Sequence, residues 1–259
     1  MVIRFKAIIF DSELNLAREF VTSNLNYMEV PIIDSASQKL LSELITAGYN
    51  ISFKHRNDDY CEVFTRNKEA IIYYNRNNVT TESIAHELLH VWLKKFNYHT
   101  GNHLYLITRN DNKLNLIISK LLCDHITNCC DHFKMYPQFI RMGYDPSKFI
   151  KDSLFEQASL KFINSIKLKM FWTYQSNAIN WYIGSLISIL AHHIEHNYNE
   201  HHSKLLRKDP DLYYIITKFW KSWKLFDIEN IDVIYNYDLD LTNTLASELN
   251  EWCKNKIIR

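Results

Sequence analysis

Backbone breakers are scarce in this chain: 259 residues carry four Gly and four Pro. Both residues destabilise helix interiors, so long stretches without them favour helices. Aromatic residues make up 14% of the chain, so the core those helices bury is bulky. The β-rich runs are short. Ile51–His55, Tyr60–Thr65 and Ala70–Tyr74 read as three strands of a meander, with turns at Asn57-Asp58 and Asn67-Lys68. The expected fold is α+β and predominantly α: a small mixed or antiparallel sheet packed on helices, followed by a helical C-terminal half.

Other segments follow the same rules. Val2–Phe10 reads as a strand, and Ser12–Leu25 and Ser35–Ala47 as helices, the second stopping at Gly48. A helix over Leu114–Tyr136 ends at Pro137. Several helices fill Pro146 to Trp223, with a break at Asp209-Pro210. The alternation is weak near Ile231–Tyr237, and a charged helix covers Thr242–Lys256. A division near residue 145 separates residues 1–145 from a helical part, 146–259.

The segment that names a chemistry is His86-Glu87-Leu88-Leu89-His90. Two histidines four apart on a helix rise about 6 Å and turn only about 40° relative to each other. Both imidazoles can therefore reach one Zn²⁺ from the same face. Glu87 lies beside the first of them, where it can hold and deprotonate a water at the metal. The surroundings support a helix. Thr80 or Thr81 can cap its start, and Glu82 suits the first turn. Val91, Ile84, Leu88, Trp92, Ala85, Phe96 and Leu89 form a broad apolar arc, with His86 and His90 just outside it.

A compact β-rich run, Ala70–Tyr74, precedes this helix by the short polar loop Asn75–Val79. A strand followed closely by a His-Glu-x-x-His helix resembles the core of the zincin metallopeptidases, over roughly residues 50–135. The resemblance implies a zinc-dependent peptidase with His86 and His90 as metal ligands and Glu87 as general base. It also implies that a sheet edge, here taken as Ala70–Tyr74, holds an extended peptide substrate. The subfamily stays open. Metzincins place a third His six residues after the second, and that position is Phe96. Gluzincins supply a downstream Glu, and none occurs between Trp92 and Phe155.

A catalytic zinc usually takes three protein ligands and keeps one open position. The Leu114–Tyr136 segment offers candidates. Its apolar arc of Ile117, Leu121, Ile118, Tyr136, Leu122 and Phe133 also takes in Asn128, His132 and His125, with Asp124 and Asp131 at the border. Burying such groups is costly unless they are paired or metal-bound. His132 is the preferred third ligand, with His125 and Asp131 as alternatives. Asn128 suits a hydrogen-bond partner behind a ligand His. A second pattern, His192-His193-Ile194-Glu195-His196, matches the inverted zincin motif. It sits in a His-rich stretch where such matches come cheaply. From it, His193 is the candidate oxyanion stabiliser.

Bulk properties limit the alternatives. The formal net charge is +1, which gives no global electrostatic case for nucleic acid or an anionic membrane. No apolar run reaches about 18 residues, the span of a membrane helix. Five Cys without a Cys-x-x-Cys pair suit reduced thiols rather than a disulfide framework, and Arg4, Lys6 and Asp11 interrupt any secretory signal. A cytoplasmic location is expected, with a peptide or protein as substrate. The rival reading is a non-catalytic protein on a zincin-type fold, acting by interaction or regulation with structural zinc or none.

Overall fold

The computed structural model describes residues 31, 33–58, 60–96, 98–149, 158–192, 196–229 and 237–259. The expected elements at 2–10, 12–25 and 231–236 lie outside these residues. The described chain is predominantly helical with a small mixed sheet. It falls into two compact units. One comprises residues up to Lys95 together with Pro137–Ile150; the other comprises Phe96–Tyr136 and Lys151–Arg259.

In the first unit, helix α1 (Ser35–Thr46) starts at Asp34, whose side chain accepts the Ser37 N–H at 2.8 Å. It stops where Gly48 takes φ +90°, a conformation that suits a residue without Cβ. The Tyr144 hydroxyl donates to the Asp34 carboxylate at 2.7 Å, which ties the segment after Pro137 to the start of α1.

The sheet is not a meander. Strands β1 (Asn50–His55), β2 (Glu62–Arg66) and β3 (Glu69–Tyr74) run in the order β1-β3-β2. β3 pairs antiparallel with β2 and parallel with β1. The two-residue turn Asn67-Lys68 forms as expected, with Asn67 at φ +55°, which Asn tolerates. The parallel pairing makes β3 central. Ala70, Ile72 and Tyr74 alternate into the core, with Ile51 of β1 beside them. Ala70–Tyr74 therefore has no free edge for a peptide; among the described residues the edges are β1 and β2. Helix α2 (Thr81–Lys94) completes this unit.

The second unit contains α3 (Thr100–Arg109), α4 (Asn112–Ile117) and most of α5 (Lys120–Arg141). The expected Leu114–Tyr136 helix is thus two helices. Ile118 leaves helical geometry and Ser119 restarts the chain, its hydroxyl accepting the Leu122 N–H at 3.1 Å. Pro137 does not end α5 but lies inside it. The chain continues through α6 (Leu160–Ser165), β4 (Lys169–Met170), β5 (Thr173–Tyr174), α7 (Ser176–Leu190), α8 (Asn199–Lys208), α9 (Pro210–Leu225), α10 (Tyr237–Cys253) and β6 (Ile257–Ile258). The last helix therefore stops short of Lys256, and the chain finishes as a strand beside β5.

Two buried carboxylates organise this unit. Asp209 caps α9 through the Leu212 N–H, with Pro210 at the first helical position. It also accepts from Tyr174 Oη at 2.9 Å and Trp252 Nε1 at 3.2 Å. Asp238 at the start of α10 accepts the His99 N–H at 2.9 Å. Each carboxylate is buried with donors aimed at it, the condition under which burial is tolerable.

Asp111 offers a direct test of the helix starts. It accepts the N–H groups of Lys113 and Leu114 and the Asn250 amide at 2.7 Å. The Leu114 hydrogen bond leads the effects that hold its carboxyl below the usual range, against the opposing pull of burial. Asp111→Ala should cost about 1 kcal/mol at neutral pH. Because the folded-state value is lowered, that contribution is present above about pH 4 and is lost as the pH falls through the lowered value. Urea titrations should show the two proteins converging in stability below that pH. A gap unchanged down to the acid limit would exclude the carboxylate as its source.

Candidate metal centre

The motif helix is fixed at its start by a reciprocal cap. Thr80 Oγ1 accepts the Ser83 N–H at 3.2 Å, and Ser83 Oγ accepts the Thr80 N–H at 2.9 Å. Of the two expected caps, Thr80 is the one used. Ile84, Ala85, Leu88, Leu89, Val91, Trp92 and Leu93 are buried below it. This packing sets the rotation of α2 and hence the direction of its polar residues. His86 and Glu87 are themselves buried, while His90 is half-buried.

The rings of His86 and His90 lie edge to face with centroids 5.1 Å apart. Phe149 covers the other side of His86 at 5.0 Å. His132 joins them: one ligand nitrogen from each of His86, His90 and His132 lies within 4.8 Å of the others. Among the described residues, this is the one group of three or more His, Cys, Asp or Glu placed closely enough to hold an ion. A tetrahedral zinc with bonds of about 2.0–2.1 Å needs nitrogens about 3.4 Å apart. Three imidazoles suit Zn²⁺ and neighbouring transition ions, whereas Mg²⁺ and Ca²⁺ prefer oxygen. Three imidazoles are thus a donor set that could hold such an ion.

Glu87 does not point to bulk water. Its carboxylate accepts the backbone N–H of Val63 on edge strand β2. Burial pushes the carboxyl up to about 7, opposed by the charge of His90 and by the Val63 hydrogen bond; Glu62 adds to the rise. Cys61 lies beside this carboxyl. Burial first, and then the charge of Glu87, push its thiol up to about 12. Such a thiol stays protonated and is a poor metal ligand.

The other candidates take different positions. His125 is buried, with Nε2 at 3.1 Å from the Gly184 carbonyl and 3.0 Å from Ser188 Oγ. It is a core histidine held by α7. Asp131 is buried against Tyr98, and burial followed by the Asp131 charge pushes that phenol well above its ordinary value. Asn128 is exposed, not buried as its place on the helix suggested. His193 and Glu195 lie outside the described residues. His192 and His196, which flank them, both pack against Tyr198. The contacts of Val63 and Phe149 with the site carried no sequence signal, because each depends on chain segments brought together only by folding.

Comparison with protein-family models, with curated proteins and with solved structures returns no match for this chain.

Metal analysis of purified variants separates the two histidine roles on α5. His132→Ala should lose most of its bound transition metal with little change in melting temperature. His125→Ala should retain the metal and lose stability, about 2 kcal/mol or more, for removing a buried ring and its hydrogen bonds to Gly184 and Ser188. Metal loss in His125→Ala with retention in His132→Ala would reverse the assignment.

Proposed function

We propose that the chain is a zinc-dependent hydrolase that cleaves peptide bonds in a peptide or protein substrate. The observation that carries this reading is the convergence of His86, His90 and His132 beside the buried Glu87. Zinc held there would supply Lewis-acid polarisation of the scissile carbonyl and make a nearby water more acidic. His86, His90 and His132 present neutral imidazole nitrogens as the ligand set. Glu87 takes the proton of the attacking water on its carboxylate and returns it to the leaving amine.

The place for a peptide is the edge of β2. Among the described residues this strand pairs with one other strand, β3. An extended chain lying along the outer side would run beside Glu87, with the Val63 N–H already taken by that carboxylate. The expected holding strand thus moves from β3 to β2, while the mode of holding is retained.

Glu87→Gln tests the reading. It keeps size and hydrogen bonding while removing the base. The variant should bind metal as the parent does and lose roughly 10²–10⁴-fold in turnover, read by mass spectrometry on a diverse peptide library. A zinc-loaded Glu87→Gln protein with full activity would remove Glu87 from the chemistry. A zinc-loaded parent that cleaves nothing in the library would favour the rival reading, an interaction or regulatory protein with structural zinc.

A further inference from the structure

The hairpin joining β4 and β5 carries its largest apolar side chains where water is most accessible. Phe171 and Trp172 form its two-residue tip and are each 90% exposed; Met170 beside them is 60% exposed. Ile257 on β6, paired in register with Thr173, is 61% exposed. Four large apolar side chains thus share one protruding end.

Phe171 also has φ +57°, a left-handed conformation that Gly or Asn adopts readily and a bulky residue does not. Nothing inside the hairpin compensates, because the ring is in solvent. A local rule broken without an internal gain points to a use outside the fold. The rest of the hairpin is firmly held. Gln175 N–H donates to the Leu168 carbonyl, Arg259 N–H to the Tyr174 carbonyl and Ser176 N–H to the Arg259 carbonyl. Tyr174 is buried against Trp252 and bonded to Asp209. The tip thus projects from a base fixed by these hydrogen bonds.

The charge around the tip has one dominant sign. No Asp or Glu occurs between Glu156 and Glu195, whereas Lys161, Lys167 and Lys169 do. The closing segment Trp252–Arg259 adds Lys254, Lys256 and Arg259 and no acid. Lys167, Lys169 and Arg259 are exposed. Lys169 Nζ sits 4.7 Å over the Tyr174 ring, and Lys256 Nζ 4.5 Å over Trp252. Lys254 is paired with Glu251. Asp209 is buried beneath the hairpin, and Asp211 is the exposed acid whose charge reaches Tyr174.

We propose that this tip docks the protein on an anionic lipid surface, with Phe171 and Trp172 entering the headgroup boundary and the lysine collar meeting the lipid phosphates and carboxylates. A convex aromatic tip ringed by cations suits a bilayer interface, where large rings settle and basic groups gain from surface charge. Among the described residues, no helix is long and apolar enough to cross a membrane. The overall charge of +1 conceals this face because it averages over the whole chain.

Co-sedimentation of the full chain with vesicles of phosphatidylcholine, alone or mixed with phosphatidylserine, tests the proposal. The parent should pellet with the mixed vesicles and much less with phosphatidylcholine alone. Phe171→Asn combined with Trp172→Ser should reduce binding at least tenfold. Lys167→Gln and Lys169→Gln should each weaken it about fivefold, with further loss in high salt. Phe171→Asn should melt no lower than the parent, since Asn accepts the left-handed conformation, so lost binding cannot be ascribed to misfolding. A parent that stays in the supernatant with mixed vesicles overturns the proposal, as does binding that survives the tip substitutions. Cross-linking from position 172 to a protein, without vesicle binding, would overturn it too and assign the tip to a protein partner.

Discussion

Burying an ionisable carboxyl is the constraint around which the first unit is arranged. Glu87 lies on a helix whose other buried residues are almost all apolar, and an unsatisfied carboxylate there would be expensive. Two features make the position tolerable: the charge of His90 one turn away on the neighbouring face, and the Val63 N–H of β2. The second requires β2 to be an edge strand near α2, and hence requires the order β1-β3-β2. The same burial that is costly for stability raises the proton affinity of Glu87. Fold and proposed chemistry therefore depend on one contact.

Local spacing made half of the site legible. His86, Glu87 and His90 are positioned by the turn of one helix, and the Thr80 cap and apolar arc that fix the helix are also local. His132 was legible in a weaker way, as a polar residue on a mostly apolar face that needed a partner. That argument applied equally to His125 on the same helix. There it points to the wrong role, because the Gly184 carbonyl and Ser188 of α7 satisfy the ring. Helical periodicity can say that a histidine faces inward; it cannot say whether a carbonyl from sixty residues away waits for it.

The sheet shows the same limit. Three short strands with polar turns read alike whether they form a meander or place the third between the first two. Alternation in β3 sets which side chains face the core, but not which strand lies on either flank. The parallel β1–β3 pairing is a long-range choice, and it places β3 in the middle of the three strands. Ser119 was a missed cap: one Ser before a helical run divided what periodicity joined. The Phe171 turn was hidden for the opposite reason. Turn chemistry is recognised by Gly, Asn, Asp or Pro, and this tip uses none of them.

The central claim is that His86, His90 and His132 share one zinc ion with a position left open. An anomalous-scattering map at the zinc edge, from crystals of metal-loaded protein, measures this directly. The account predicts a single strong peak about 2.0–2.1 Å from one nitrogen of each of the three histidines, with no fourth protein ligand. A peak held by His125 or Asp131 in place of His132, a fourth side chain closing the site, or no peak beside His86 and His90 would contradict it.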